Sequence, residues 1–347
     1  MPSPASDEIR AAIARADGAL RFDRFVDLAL YGAGGFYSSG GGAGRRGDFI
    51  TSPEVGPLFG AVIARWLDDT WRRLGSPDQF DLIEAGAGPG TLARSILAAA
   101  PQCSAAVRYT AVEVSDSQRE RHPAGVASVA SMPTEPIIGV VIANELLDNL
   151  PFRLFVMDGQ WREAHVIEQR DGSFAEVLRD APDVDELRLP LARSHGARVP
   201  VQQQAGEWAR SALAGIEAGR LLVIDYASAT SAGMAMRPWR DWLRTYRDHE
   251  RGEHYLREPG SQDITTEVAL DQLFVAVGEP DAVRSQSQFL QRWGIDALVE
   301  EGRTAWAEQA ARPTVAAMTM RSRIREAEAL CDPTGLGAFT VVEFAAN

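Results

Sequence analysis

Lysine is absent. All 35 basic residues are arginine, so no Walker A loop, whose lysine grips nucleotide phosphates, can exist in the chain. Cysteine is scarce. Cys103 and Cys331 stand far apart, which excludes a CxxC metal or redox motif and a disulfide scaffold. Among the five histidines, His249 and His254 share the stretch DHERGEHY. Their i, i+5 spacing does not align two ligands on one helix face, so no metal site is expected. Long apolar runs are missing as well. The longest, IIGVVIA (Ile137–Ala143), falls far short of the roughly 20 residues of a membrane span. Basic charge is in deficit, 35 residues against 48 acidic ones, giving a net charge of −13. That argues against non-specific nucleic-acid binding, which runs on phosphate neutralisation, and is compatible with a basic protein partner.

What is present reads as a globular chain. The 347 residues, 45% hydrophobic and 24% charged, suffice for two domains or one elaborated α/β domain. No basic run followed by an apolar segment opens the sequence, and Asp7, Glu8 and Asp17 come too early for an acid-poor transit peptide. A cytoplasmic location is expected. The all-arginine usage with abundant Ala and Gly suggests GC-rich coding and a bacterial source.

Ser6 reads as the N-cap of a first helix, closed by Gly18, and Phe22, Phe25, Val26 and Ala29 mark a second, ending near Tyr31-Gly32. A glycine-dense stretch, Gly32 to Gly47, then leads into GDFITSPE. It is either a plain linker or a mobile lid. Phe59–Trp71 reads as an amphipathic helix. From Phe80 onward short apolar strands alternate with helices: FDLIEA, RYTAVEVS (Arg108–Ser115), IIGVVIANELLD (Ile137–Asp148) and LLVIDY (Leu221–Tyr226). Continuous apolar strands ending in polar residues indicate a parallel sheet covered on both faces. Phe152–Leu178 alternates around Asp158-Gly159 and Asp171-Gly172, which predicts inserted hairpins. The tail predicts a helix near Thr265–Val277, a strand near Ala282–Phe289, a helical stretch through Leu330 and a last strand Phe339–Phe344.

Glu84-Ala-Gly86-Ala-Gly88-Pro-Gly90-Thr91 follows the first of these strands. Alternate glycines let the backbone turn tightly and approach a ligand, and the helix from Thr91, with Leu92, Ile96 and Leu97 on one side, offers free N–H groups. The dinucleotide fingerprint is GxGxxG. Here the third glycine comes one residue early, which suits an adenosyl ligand without a pyrophosphate. Glu113 ends the next strand, 23 residues after Gly90. A carboxylate there can accept hydrogen bonds from both ribose hydroxyls.

These segments resemble the class I S-adenosylmethionine-dependent methyltransferases. More narrowly, the chain is similar to the family of the mitochondrial complex I assembly factor 7 and its bacterial MidA-type relatives. The likeness is carried by FDRFVDLALYGAGGFY, GDFITSPEVGPLFG, LIEAGAGPGTLARSIL, YTAVEVS, IANELLDNLPF, LLVIDYA and QDITTEVALDQL. It implies a Rossmann-like α/β fold with a mostly parallel seven-stranded sheet, helices on both faces, an N-terminal helical segment over residues 1–75 and a methyltransferase domain over 76–347. An insertion at about 152–200 and a C-terminal cap at about 231–280 are expected. It also implies S-adenosyl-L-methionine as cofactor, bound by Glu84, Gly86, Gly88, Gly90, Glu113 and Asn144, and an arginine-containing protein substrate such as a complex I subunit. The family usually reads GPGRGT at the loop and has an aromatic pair where this chain has Leu146-Leu147.

Methyl transfer is an in-line displacement that needs positioning rather than a metal. A guanidine nucleophile, with a pKa above 12, needs carboxylates that grip it bidentately. The candidates are Asp48, Glu54, Glu145, Asp148 and Asp225. Glu145 is expected as a substrate clamp, Asn144 as an orienting group for cofactor or substrate, and Glu54 as a second clamp. Asp48 either joins them or caps the following helix. Asp225 either orients substrate or bonds loop backbone, and His249 is a weaker proton acceptor. A small-molecule O- or N-methyltransferase and a non-catalytic assembly factor are the competing functions.

Overall fold

The computed structural model describes residues 3–39, 51–191, 194–248, 250–312 and 314–346. Its centre is a seven-stranded sheet: β1 (Phe80–Ala85), β2 (Val107–Val112), β3 (Ala127–Val129), β4 (Ile137–Asn144), β5 (Ile216–Asp225), β6 (Ala282–Ser285) and β7 (Thr340–Ala346). Their spatial order is β6-β7-β5-β4-β1-β2-β3. β1 to β5 pair in parallel, and β7 runs antiparallel to both β5 and β6. The fold is thus a Rossmann-like α/β sheet of the class I methyltransferase type. The apolar runs form strands because both faces of the sheet are covered. On one side Phe59, Trp66, Ile96, Phe289 and Leu330 pack against Leu82, Val140 and Leu222. On the other, Ala205, Ala209, Leu270 and Leu273 pack against Ile83, Val141 and Val223.

The chain steps from β1 outward to β3, then returns to β4 beside β1. The direction of winding therefore reverses between β1 and β4, and their carboxyl ends open a crevice of the kind in which such sheets bind ligands.

The hairpins around Asp158-Gly159 and Asp171-Gly172 are present: Arg153–Asp158 pairs with Gln160–Glu168, which pairs with Phe174–Arg179. Leu20–Arg21 joins the same sheet. The N-terminal helices Pro4–Arg15 and Phe22–Tyr31 bury Ile9, Phe22 and Phe25 with Phe152, Leu154, Trp242 and Tyr255. The N-terminal segment and the insertion accordingly share one core.

Several local expectations change. Ser3, not Ser6, caps the first helix, its Oγ accepting the Ser6 amide at 3.2 Å, because Pro4 takes the first helical turn and donates nothing there. The helix expected from Thr265 begins at Leu270, since Asp263–Thr266 is drawn into pairing with Leu243–Tyr246. The strand expected to Phe289 stops at Ser285, where a Ser285–Gln288 capping box starts a helix over Gln286–Arg292. Leu97 is 40% exposed rather than part of the buried face. The edge strand Ala127–Val129 is too short and exposed to show a pattern.

Candidate active site

The cavity at the carboxyl ends of β1 and β4 has a volume of about 380 Å³, within the range of small-molecule sites. Glu54, Glu84, Gly86, Gly88, Glu113, Asn144 and Glu145, predicted from separate stretches of sequence, all border it.

The glycine loop supplies one wall. Gly86 and Gly88 adopt φ of +68° and +52°, a region that favours residues without Cβ. A Cβ built on Gly88 would meet nothing within 4 Å, so the backbone there faces open space. Both polar groups of Gly88 are held. Its amide donates to Glu113 Oε2 at 2.9 Å, and its carbonyl lies 2.9 Å from His122 Nε2, whose Nδ1 is 2.8 Å from Ser128 Oγ. Glu113 Oε1 accepts the Ser115 amide at 2.8 Å. A carboxylate has about four lone-pair sites, so Glu113 keeps acceptor capacity toward the cavity. Gly90 stands behind the cavity as the left-handed cap of helix Thr91–Ala98. Glu84 is buried beneath the loop and accepts the Tyr109 hydroxyl at 2.6 Å. Burial pushes its carboxyl up to about 7.

The end of β4 supplies the floor. Glu145 has φ of +51°, a conformation that costs a non-glycine residue of order 1–3 kcal/mol and persists only where the surroundings enforce it. Its amide donates to the Ile224 carbonyl at 2.8 Å. Its Oε1 faces the Asn144 amide nitrogen at 3.3 Å and the Ser52 amide at 3.4 Å. Burial, then the neighbouring Asp148, holds its carboxyl well above the ordinary range. The Asn144 Oδ1 is buried without a hydrogen-bond partner.

Glu54 arrives on the short helix Ser52–Val55. Ser52 is fully buried and donates to Gln286 Oε1 at 2.8 Å, and Gln286 in turn donates to the Leu330 carbonyl at 3.1 Å. Asp225 does not border the cavity. Its Oδ2 accepts the amides of Leu147 at 2.9 Å and Asp148 at 3.3 Å, so of the two roles expected for it the backbone one is met. Asp48, His249 and residues 40–47 of the glycine-dense stretch lie outside the described residues.

Behind the floor, Asp148, Asp225 and Asp263 are buried together. Burial and mutual repulsion raise Asp225 and, with Glu145, leave the group short of positive charge; Asp263 is pushed up to about 7. Thr265 Oγ1 donates to Asp148 Oδ2 at 2.5 Å, while Asp148 Oδ1 has no partner. Elsewhere acids take arginines freely: Glu267 alone bonds Arg237 and Arg244. Among the described residues, none of these four carboxylates does. Nor is any described group of three or more His, Cys, Asp or Glu side chains arranged to hold a metal ion.

Sequence reasoning missed Tyr31, Tyr37 and Asn149, which border the cavity, and Asp263 and His122, which support it. Asp263, Asn149 and both tyrosines lay within stretches already singled out for their likeness, which was the available signal.

Residues 62–287 match a family described as "putative S-adenosyl-L-methionine-dependent methyltransferase". A Drosophila melanogaster mitochondrial protein named as a protein arginine methyltransferase NDUFAF7 homologue is 29% identical over 67% of this chain and 61% of its own length. Human mitochondrial protein arginine methyltransferase NDUFAF7 is 28% identical over 76% of this chain and 67% of its own. The chain thus spans about three fifths of the length of the fly protein. A crystal structure from Burkholderia thailandensis bound to S-adenosyl-homocysteine superposes with a TM-score of 0.85 at 27% identity, covering 99% of this chain and 94% of that one.

Proposed function

Because this chain belongs to the family of S-adenosyl-L-methionine-dependent methyltransferases, we propose that it methylates an arginine side chain of a protein. Its cofactor is S-adenosyl-L-methionine, and the cavity suits that molecule. The open backbone at Gly88 admits close approach, Glu113 offers acceptors, the unpartnered Asn144 Oδ1 offers another, and Leu146 and Met132 add apolar wall. When bound, the cofactor supplies a methyl group made electrophilic by its sulfonium.

The observation that carries the arginine reading is the Glu145 carboxyl at the floor of the cavity, backed by the buried Asp148, Asp225 and Asp263, with no cation paired to any of the four among the described residues. Buried charges are costly unless paired, and a guanidinium is a planar cation whose paired donors match carboxylates. In this reading Glu145 and Glu54 grip the guanidinium from two walls and Asn144 orients it. Glu145, whose carboxyl is already held high, accepts the proton that leaves as the N–C bond forms. Asp225 holds the turn that carries Glu145. The mitochondrial relatives, named as protein arginine methyltransferases, support the same reading. By this resemblance the substrate is a respiratory complex I subunit.

The test is mass spectrometry of protein arginines in the source strain with and without the gene. A methylarginine that disappears in the deletion and returns with the gene, but not with a Glu145→Gln copy, is the expected result. An unchanged set of methylarginines would overturn the reading.

A further inference from the structure

Tyr31, Tyr37, Asn149 and Asp263 form a closed ring of contacts. The two tyrosine rings stack with centroids 5.5 Å apart and planes 19° from parallel. The Tyr37 hydroxyl donates to Asp263 Oδ1 at 3.1 Å. The same oxygen accepts from Asn149 Nδ2 at 3.0 Å. The Tyr31 hydroxyl closes the ring by donating to the Asn149 carbonyl at 3.3 Å.

Three distant parts of the chain meet here: the end of helix Phe22–Tyr31 with the segment just after it, the turn after β4, and the strand Asp263–Thr266. Tyr31, Tyr37 and Asn149 border the cavity, and Asp263 does not. A single buried carboxylate oxygen therefore fixes two cavity-lining side chains brought from different segments. Phe36 packs edge-on against Tyr37 at 5.1 Å and 80°, which further restricts that ring.

We propose that Tyr31 and Tyr37 are specificity residues that select a flat cation for the cavity, and that Asp263 is the residue that positions them. This rests on the arginine reading above. The carboxylates alone would accept any cation. Parallel aromatic rings favour one that is planar and weakly hydrated, since a guanidinium can lie along a tyrosine and an ammonium cannot. The wall thus distinguishes arginine from lysine where charge does not.

The experiment titrates N-acetyl-arginine amide, N-acetyl-lysine amide and N-acetyl-citrulline amide, at millimolar concentration by NMR, into the full chain saturated with S-adenosylhomocysteine. The parent protein should prefer the arginine probe over lysine roughly fivefold or more, and should not bind citrulline measurably. Tyr37→Leu should erase the arginine-over-lysine preference. Tyr37→Phe keeps the ring and should retain more of it than Tyr37→Leu. Asp263→Asn should reduce the preference while S-adenosylhomocysteine affinity stays within about threefold, a pattern that general destabilisation would not give. If the preference is unchanged in Tyr37→Leu and Asp263→Asn, the wall has no role in selection and this inference fails while the arginine reading stands. If the variants lose S-adenosylhomocysteine and keep the preference, the ring serves the cofactor instead. If the parent binds citrulline as well as arginine, the cationic reading itself fails, and this inference with it.

Discussion

Asp225 Oδ2 accepts the Leu147 amide at 2.9 Å, tying the end of β5 to the turn that follows β4. Leu147 is two residues beyond Glu145, so this bond fixes the exit of the strained position. Asp225→Ala would leave the buried amides of Leu147 and Asp148 unpaired. Each buried orphan donor costs about 1–3 kcal/mol. The expected loss of unfolding free energy is of order 2–4 kcal/mol, offset in part by relief of carboxylate repulsion. Urea unfolding followed by circular dichroism measures it. An unchanged midpoint would mean the turn is held by other contacts.

Glu113 ties the glycine loop to the end of β2 through the Gly88 amide. Glu113→Ala removes that anchor and the charge-assisted acceptors left for a ribose. S-adenosylmethionine affinity should fall by about 1.5–3 kcal/mol. Gly88→Val places a branched side chain in the open space over the loop and strains a φ of +52°. Binding should weaken by about 100-fold or more. Calorimetric titration reads both. If both variants bind like the parent, the cofactor lies elsewhere.

The buried acids predict an unusual pH dependence of stability. Asp263 is pushed up to about 7 by burial, with Asp148 repelling its charged form, against about 4 in an unfolded chain. Between those values the folded protein holds more protons than the unfolded one, so stability falls as pH rises. Asp225 and Glu145, also raised, act in the same direction. The protein without ligands should therefore unfold at a higher temperature near pH 5 than near pH 7.5, and Asp263→Asn should flatten the difference. A melting temperature that rises across this range would refute it.

Much of this was legible in the sequence because the signals were local. Ile137–Asn144 is a continuous apolar run since a parallel strand is buried on both faces, and the spacing of Gly86, Gly88 and Gly90 is dictated by positive φ at each. Glu54, Glu113 and Glu145 could be singled out as acids at element ends. The wall of Tyr31 and Tyr37 could not. Their partners Asn149 and Asp263 lie more than a hundred residues away, and no local period encodes such a meeting. The end of the buried strand, Thr265–Thr266, reads as the start of a helix in the sequence, because its pairing partner, Leu243–Arg244, decides its conformation.

Glu145 is the position where backbone strain, burial and the cavity coincide. Its carboxylate is proposed to hold the guanidinium and take its proton, so its charge matters in the transition state more than in binding the cofactor. Glu145→Gln preserves size and the oxygen facing Ser52 but removes the charge. S-adenosylmethionine affinity should stay within a few fold, while single-turnover methyl transfer to the arginine substrate falls by roughly 2 kcal/mol or more. Glu54→Gln should act in the same direction with a smaller loss, because Glu54 has no proton to accept in this scheme. The loss in Glu145→Gln should also persist at high pH, where the parent gains from fuller ionisation of its carboxylates. The informative pair of constants is cofactor dissociation and single-turnover rate, measured on each variant across pH 6 to about 9. Unchanged transfer in Glu145→Gln would remove this residue from the mechanism, and a neutral hydroxylated substrate, which needs no clamp, would become the better reading.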